Sequence, residues 1–145
     1  MKKLIIIISS FILLVLVFTS CSTITGGGTE NNEELYKAAI ERYYASILQA
    51  DIDTFLDSID PMGPMYPTPA EAEEFRTKLN ATPGEVTVKE LNVLEESANK
   101  ARVEVELFMS IDFERDGEFY ESTLHATFEL ALKGGTWRIF NGSME

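Results

Sequence analysis

Ala101-Arg102-Val103-Glu104-Val105-Glu106-Leu107-Phe108-Met109-Ser110-Ile111-Asp112-Phe113 alternates with a period of two. Ala101, Val103, Val105, Leu107, Met109, Ile111 and Phe113 fall on one side, with Arg102, Glu104, Glu106, Phe108, Ser110 and Asp112 on the other. Successive side chains of a strand point to opposite faces, so the stretch predicts a long strand with one buried face. A half-buried strand of this kind suits an antiparallel sheet, because parallel sheets bury both faces. Asp116-Gly117 follows as a two-residue hairpin signal. The next strand then puts Tyr120, Ser122, Leu124, Ala126, Phe128, Leu130 and Leu132 on the same apolar face. Closing the hairpin at Asp116-Gly117 sets Phe113 opposite Tyr120, Met109 opposite Leu124 and Val105 opposite Phe128. On the polar face it sets Glu104 opposite Glu129, Asp112 opposite Glu121 and His125 opposite Phe108.

Working outward, Gly134-Gly135 predicts a second hairpin and Trp137 to Asn141 a last strand. On the other side, Ser97-Ala98-Asn99-Lys100 reads as a turn. Before it, Val86 to Leu94 reads as a strand with a bulge, because Val86 and Val88 change phase to Leu91 and Val93. Earlier still the period changes to that of helices. Asn31 with Glu34 is a capping-box-like start, and Tyr36, Ile40, Tyr43, Tyr44, Ile47 and Leu48 form one apolar stripe. Asp51 or Asp53 caps a shorter helix with Ile52, Phe55, Leu56 and Ile59 inward, ended by Asp60-Pro61. Pro61 to Pro67 is a turn-rich loop carrying Met62, Met65 and Tyr66. Thr68-Pro69-Ala70-Glu71 starts a third helix, with Ala72, Phe75 and Leu79 on one side and an end near Asn80.

Three helices followed by a four-stranded antiparallel meander predict an α+β domain, its helices packed on one face of a curved sheet. This order resembles the nuclear transport factor 2-like superfamily, the α+β cone that includes ketosteroid isomerase and SnoaL-type cyclases. The resemblance rests on the Tyr36-Lys37-Ala38-Ala39-Ile40-Glu41-Arg42-Tyr43-Tyr44 helix, on Ala50-Asp51-Ile52-Asp53 and on the terminal Gly135-Thr136-Trp137-Arg138-Ile139 strand. It covers roughly Glu33 to Met144. Within the superfamily the chain looks most like small bacterial lipoproteins with a domain of uncharacterised function.

The lipoprotein part of that expectation stands on the amino-terminal residues. Met1-Lys2-Lys3 precedes fifteen uncharged residues, Leu4 to Phe18, and then Thr19-Ser20-Cys21, the one cysteine of the chain. A cationic start, an apolar run and a small-residue end describe a secretory leader. Phe18-Thr19-Ser20-Cys21 resembles the lipobox of bacterial lipoproteins, with Phe18 where Leu is usual. That resemblance implies a diacylglyceryl group on Cys21 and cleavage ahead of it. An uncleaved anchor and a secreted protein cut near Ser22 are the alternatives, since Leu4 to Cys21 approaches the ~18 residues that span a bilayer. The expected organisation is a signal peptide over 1–20, a lipidated Cys21 with a Gly-rich flexible linker over 21–32, and the cone domain over 33–145. The expected location is extracytoplasmic, at the cell envelope and held to the membrane by acyl chains.

Composition narrows the partners. Twelve basic and twenty-four acidic residues give a net charge of −12, near −14 once Lys2 and Lys3 leave with the signal. Such a charge opposes nucleic acid and anionic lipid surfaces. With one cysteine there is no disulfide within the chain, and the domain relies on its core.

Enzymes of the superfamily that the chain resembles work inside the cone with Asp, His or Tyr. The apolar face of the two long strands offers Tyr120 and Ser122 but no carboxylate, imidazole or amine, and general acid–base chemistry needs a titratable group in reach. No catalytic residue, cofactor or metal site is expected. His125, the sole histidine, falls on the outer face beside Thr123 and Thr127. Candidates for a ligand pocket are Tyr36, Tyr43, Tyr44, Met65, Tyr66, Tyr120, Ser122 and Trp137, with simple core packing as the competing reading. Candidates for an interface are Phe108, Phe119, His125 and Phe140 on the outer face, where the resemblance implies a homodimer. The function expected is non-catalytic binding of a small apolar ligand or an envelope protein partner. The alternatives are a cone-fold isomerase or dehydratase and a structural dimerisation module.

Overall fold

A computed structural model describes residues 29–144; Cys21, the apolar run and the expected linker up to Gly28 lie outside the described residues, while Thr29 to Asn32, expected as the end of that linker, instead begin the first helix. The chain forms helices α1 (Thr29–Leu48), α2 (Ile52–Ser58) and α3 (Pro69–Lys78), then strands β1 (Gly84–Glu96), β2 (Lys100–Ile111), β3 (Tyr120–Lys133) and β4 (Thr136–Met144). The strands make one antiparallel sheet in the order β1-β2-β3-β4. This is the α+β meander that the alternating stretch predicts, with the helices on its concave face.

Local chemistry explains the element ends. Asp51 caps α2, accepting from the Thr54 N–H at 3.1 Å. Thr68 and Glu71 close a reciprocal capping box at α3, with Pro69 at its first position. Gly134 and Gly135 both have positive φ, which a two-residue hairpin with the twist of the sheet requires. The bulge expected in β1 is present between Val88 and Glu90, and a second falls between Val93 and Glu95. In β4, Phe140 is the extra residue opposite the Glu129–Leu130 step. Bulges bend and twist a sheet, and here they curve it around α1. Ile59 continues from α2 as a parallel bridge to Ile139. The loop after it lies so close to β4 that a Cβ on Gly63 would stand 2.3 Å from the Phe140 carbonyl oxygen.

The core fills the concave face. Tyr36, Ile40, Val103, Val105, Leu107, Phe128, Leu130 and Ile139 are buried, joined by Trp137 and by half-buried Tyr43, Tyr44 and Met65. Burial of this apolar surface is the main stabilising term in a domain without disulfides. α3 contributes little to it: none of its residues is buried and Phe75 remains 40% exposed.

The β2–β3 connection departs from expectation. β2 stops at Ile111, and the eight residues Asp112 to Phe119 form a loop. The pairing is Ile111 with Tyr120, Met109 with Ser122, Leu107 with Leu124, Val105 with Ala126 and Val103 with Phe128, two residues from the expected register. Asp112 is the cause. It is buried, and its carboxylate accepts from the N–H groups of Asp116 at 3.2 Å and Gly117 at 2.9 Å, which needs a wider loop than a two-residue turn. A shift of two keeps every side chain on its face. It also separates the like charges that the narrower turn would oppose: Glu129 now faces Arg102, Glu121 faces Ser110 and His125 faces Glu106. Phe113 and Tyr120, expected on the buried face, are instead exposed at the rim.

Candidate functional site

The proposed pocket residues separate into three places. Tyr36 and Trp137 are core: their rings meet edge to face at 4.9 Å and 85°. The Tyr36 hydroxyl donates to Glu96 Oε1 at 2.5 Å, which Asn32 Nδ2 also approaches at 2.8 Å. Burial, reinforced by that carboxylate, pushes the Tyr36 phenol well above its ordinary range. Tyr43 and Tyr44 pack edge to face on each other, Tyr43 also on Phe55 and Tyr44 on Phe128. Burial pushes Tyr43 up, and Tyr44 up to about 12, so both hydroxyls are protonated at neutral pH. Met65 packs against this cluster beside Gly142. Tyr66 and Tyr120 are exposed and Ser122 half-buried.

These side chains therefore do not enclose one cavity. Tyr43 alone lines an apolar cleft of about 230 Å³, with Ile47, Ile52, Phe55, Phe75 and Leu79, between α1, α2 and α3. Its signal in the sequence is the inward stripes of the three helices, of which Tyr43 is a pocket candidate and Ile47, Ile52, Phe55, Phe75 and Leu79 are not. That volume is below the ~300 Å³ at which ligand pockets begin.

The outer face of the sheet holds Phe108, His125 and Phe140. Phe108 is half-buried, with Lys89 Nζ 5.1 Å above its ring. His125 Nε2 stands 3.8 Å from Glu106 Oε2. Phe140, at its bulge, borders a shallow depression of about 360 Å³ with Arg102, Glu129 and Lys100. Phe119, expected on this face, belongs to the β2–β3 loop instead.

A charged group joins the helices to β4. Asp57 binds both Arg42 and, at 2.9 Å, Arg138, and these guanidiniums hold its carboxyl below the usual range. Arg138 Nε is buried with no hydrogen-bond partner among the described residues. No three His, Cys, Asp or Glu side chains converge as a metal site would require among the described residues. No helix among them is long and apolar enough to cross a membrane.

Solved structures share this architecture at low identity. A candidate aromatic ring hydroxylase from Novosphingobium aromaticivorans is 15% identical over 82% of this chain and 91% of its own, with a TM-score of 0.63. A nuclear transport factor 2-like superfamily protein from Salmonella enterica is 16% identical over 81% of this chain and 92% of its own, TM-score 0.59. The association domain of C. elegans CaMKII is 17% identical over 79% and 98%, TM-score 0.56. At such identities the likeness is one of fold, and it confirms the cone expected from the sequence. No protein with a curated description matches. The family model described as anti-sigma-I factor RsgI9, C-terminal domain, matches residues 38–145.

Proposed function

The chain belongs to the family of the anti-sigma-I factor RsgI9 C-terminal domain, and from that membership we propose that it is an extracytoplasmic binding module, lipidated at Cys21, that works by holding a protein partner. The family name describes a regulatory protein, in which this domain stands at the carboxyl end. For this chain it favours recognition over chemistry. The observation that carries the reading is the fate of the pocket candidates: Tyr36, Tyr43, Tyr44 and Trp137 pack on one another, while Phe108, His125 and Phe140 remain on the outer face. A site that spends its aromatics on its own core leaves recognition to the outside.

The partner first expected there is a second copy of the chain. The association domain of CaMKII has this fold, and its name describes assembly. Light scattering of the full chain in detergent should give the mass of two copies, and Phe108→Glu should return it to one by placing a carboxylate in the contact. A mass unchanged by Phe108→Glu would remove the outer face from the proposal. Cys21→Ser should abolish acyl labelling and leave an uncleaved precursor; normal labelling of that variant would remove the lipid anchor.

A second reading has one observation behind it. The apolar cleft under α3 is lined by Tyr43, Phe55 and Phe75 and would admit a small apolar group. A cone-fold isomerase or dehydratase would need a titratable group facing substrate, and the inward positions of β2 and β3 carry no carboxylate, imidazole or amine, only Tyr120 at the exposed rim.

A further inference from the structure

The β2–β3 loop ends the domain in an apolar rim. Phe113 is 64% exposed, Tyr120 63% and Phe119 52%. The rings of Phe113 and Tyr120 stand 6.3 Å apart at 49°, and the three aromatics border an open groove of about 580 Å³. Single exposed apolar residues are ordinary, but three around one concave feature mark an interaction surface. Glu114, Asp116 and Glu118 border the same groove. The one cation of the loop is turned to other work: Arg115 Nη2 donates to the Ala81 carbonyl at 2.7 Å. The loop is also held in shape, by Asp112 accepting from Asp116 and Gly117 and by Asp116 accepting from the Glu118 N–H at 2.9 Å.

We propose that this rim is a docking site for a short cationic segment of a partner protein, in which Arg or Lys side chains stack on Phe113 and Tyr120 and pair with Glu114 and Glu118 while an aliphatic side chain fills the groove. Charge complementarity selects this occupant. A cation gains from the carboxylates and from the aromatic faces together. A second copy meeting this rim with its own would set Glu114, Asp116 and Glu118 against the same carboxylates, and an anionic bilayer would be repelled in the same way. Because the loop is already fixed by its own hydrogen bonds, little ordering opposes binding. The site is separate from the outer sheet face and does not depend on it.

The test uses the full chain in neutral detergent and a short fluorescent peptide alternating Arg and Leu, read by anisotropy. Counterparts alternating Glu with Leu, and Arg with Ser, serve as controls. The Arg–Leu peptide should bind best, and Phe113→Ser with Tyr120→Ser should weaken it roughly tenfold or more, as loss of aromatic anchors does. Glu114→Gln with Glu118→Gln should weaken it several-fold and flatten its salt dependence. Phe108→Glu should leave it unchanged. Fluorescence of Trp137, the one tryptophan, checks that each variant keeps its core. Three results would overturn the proposal: no peptide binding, equal binding of the Glu–Leu peptide, or affinity indifferent to the Phe113 and Tyr120 changes. So would a mass that falls to one copy with Phe113→Ser, or anionic vesicles that bind through these residues, since the occupant would then be a second chain or a bilayer.

Discussion

Tyr36 joins the start of α1 to the end of β1 through a single side chain. Its ring fills the core against Trp137, and its hydroxyl reaches Glu96 at the far end of the hairpin strand. The stripe of α1 made the ring legible in the sequence. The partner, sixty residues away, was not, because it depends on how the helix lies along β1. Glu96 accepts from Tyr36 and then from Asn32, and both bonds hold its carboxyl below the usual range. A group with a lowered folded pKa stabilises above its unfolded value and loses that contribution as pH falls through the folded one. Tyr36→Phe should therefore cost about 1 kcal/mol at pH 7, the worth of one hydrogen bond, and less at pH 3. Urea unfolding of both proteins at the two pH values checks this; an equal cost at both would mean that the ionised carboxylate is not the acceptor that matters.

At the scale of elements, the β2–β3 hairpin separates what a pattern can say from what it cannot. The period of two assigned the faces of both strands correctly from residue 101 to 111 and from 122 to 132. The register was missed because Asp116-Gly117 looked like a sufficient turn, whereas buried Asp112 organises a loop of eight residues. The observed register, two residues away, keeps the faces but leaves Phe113 and Tyr120 outside the core and gives the outer residues of β2 and β3 different cross-strand neighbours. Asp112→Ala should destabilise the domain by about 1–3 kcal/mol, because the two N–H groups it satisfies lose their acceptor. It should also speed amide exchange at Asp116 and Gly117 ahead of the strands. Unchanged exchange there would mean that the loop is held by Arg115 and Asp116 instead. The capping signals of α2 and α3 were read directly, since a cap is a contact within four residues.

Across the whole molecule, the excess of acid is a standing cost to compactness. Glu90 remains opposite Glu106 on the outer face, and most ion pairs lie on exposed side chains, where they are worth little. Raising salt from 10 to 150 mM shortens the screening length from about 30 to about 8 Å. Self-repulsion should weaken more than the exposed pairs do, so the melting temperature should rise. A fall would show that the Arg42–Asp57–Arg138 group outweighs the net charge. The order of helices and strands was legible because each element carries its own period and punctuation. The pocket was not, because one sequence pattern describes aromatics that line a cavity and aromatics that fill it. Tyr44 meets Phe128 and Tyr36 meets Trp137, and both contacts join residues far apart in the chain.

The seating of α1 has a mechanical consequence. The helix runs antiparallel to β1, tied by Asn32 and Tyr36 to Glu96, by the Glu41 carboxylate to the Val88 N–H at 2.9 Å, and by the Leu48 carbonyl to the Thr82 N–H at 2.7 Å. A pull along the helix axis on the chain ahead of Thr29 loads all of these ties at once, in shear. A pull away from the sheet loads Glu96 first and peels the others in turn. The domain is thus a stiff anchor point in one direction and a weak one in the other, with Glu96 as the tie that yields first.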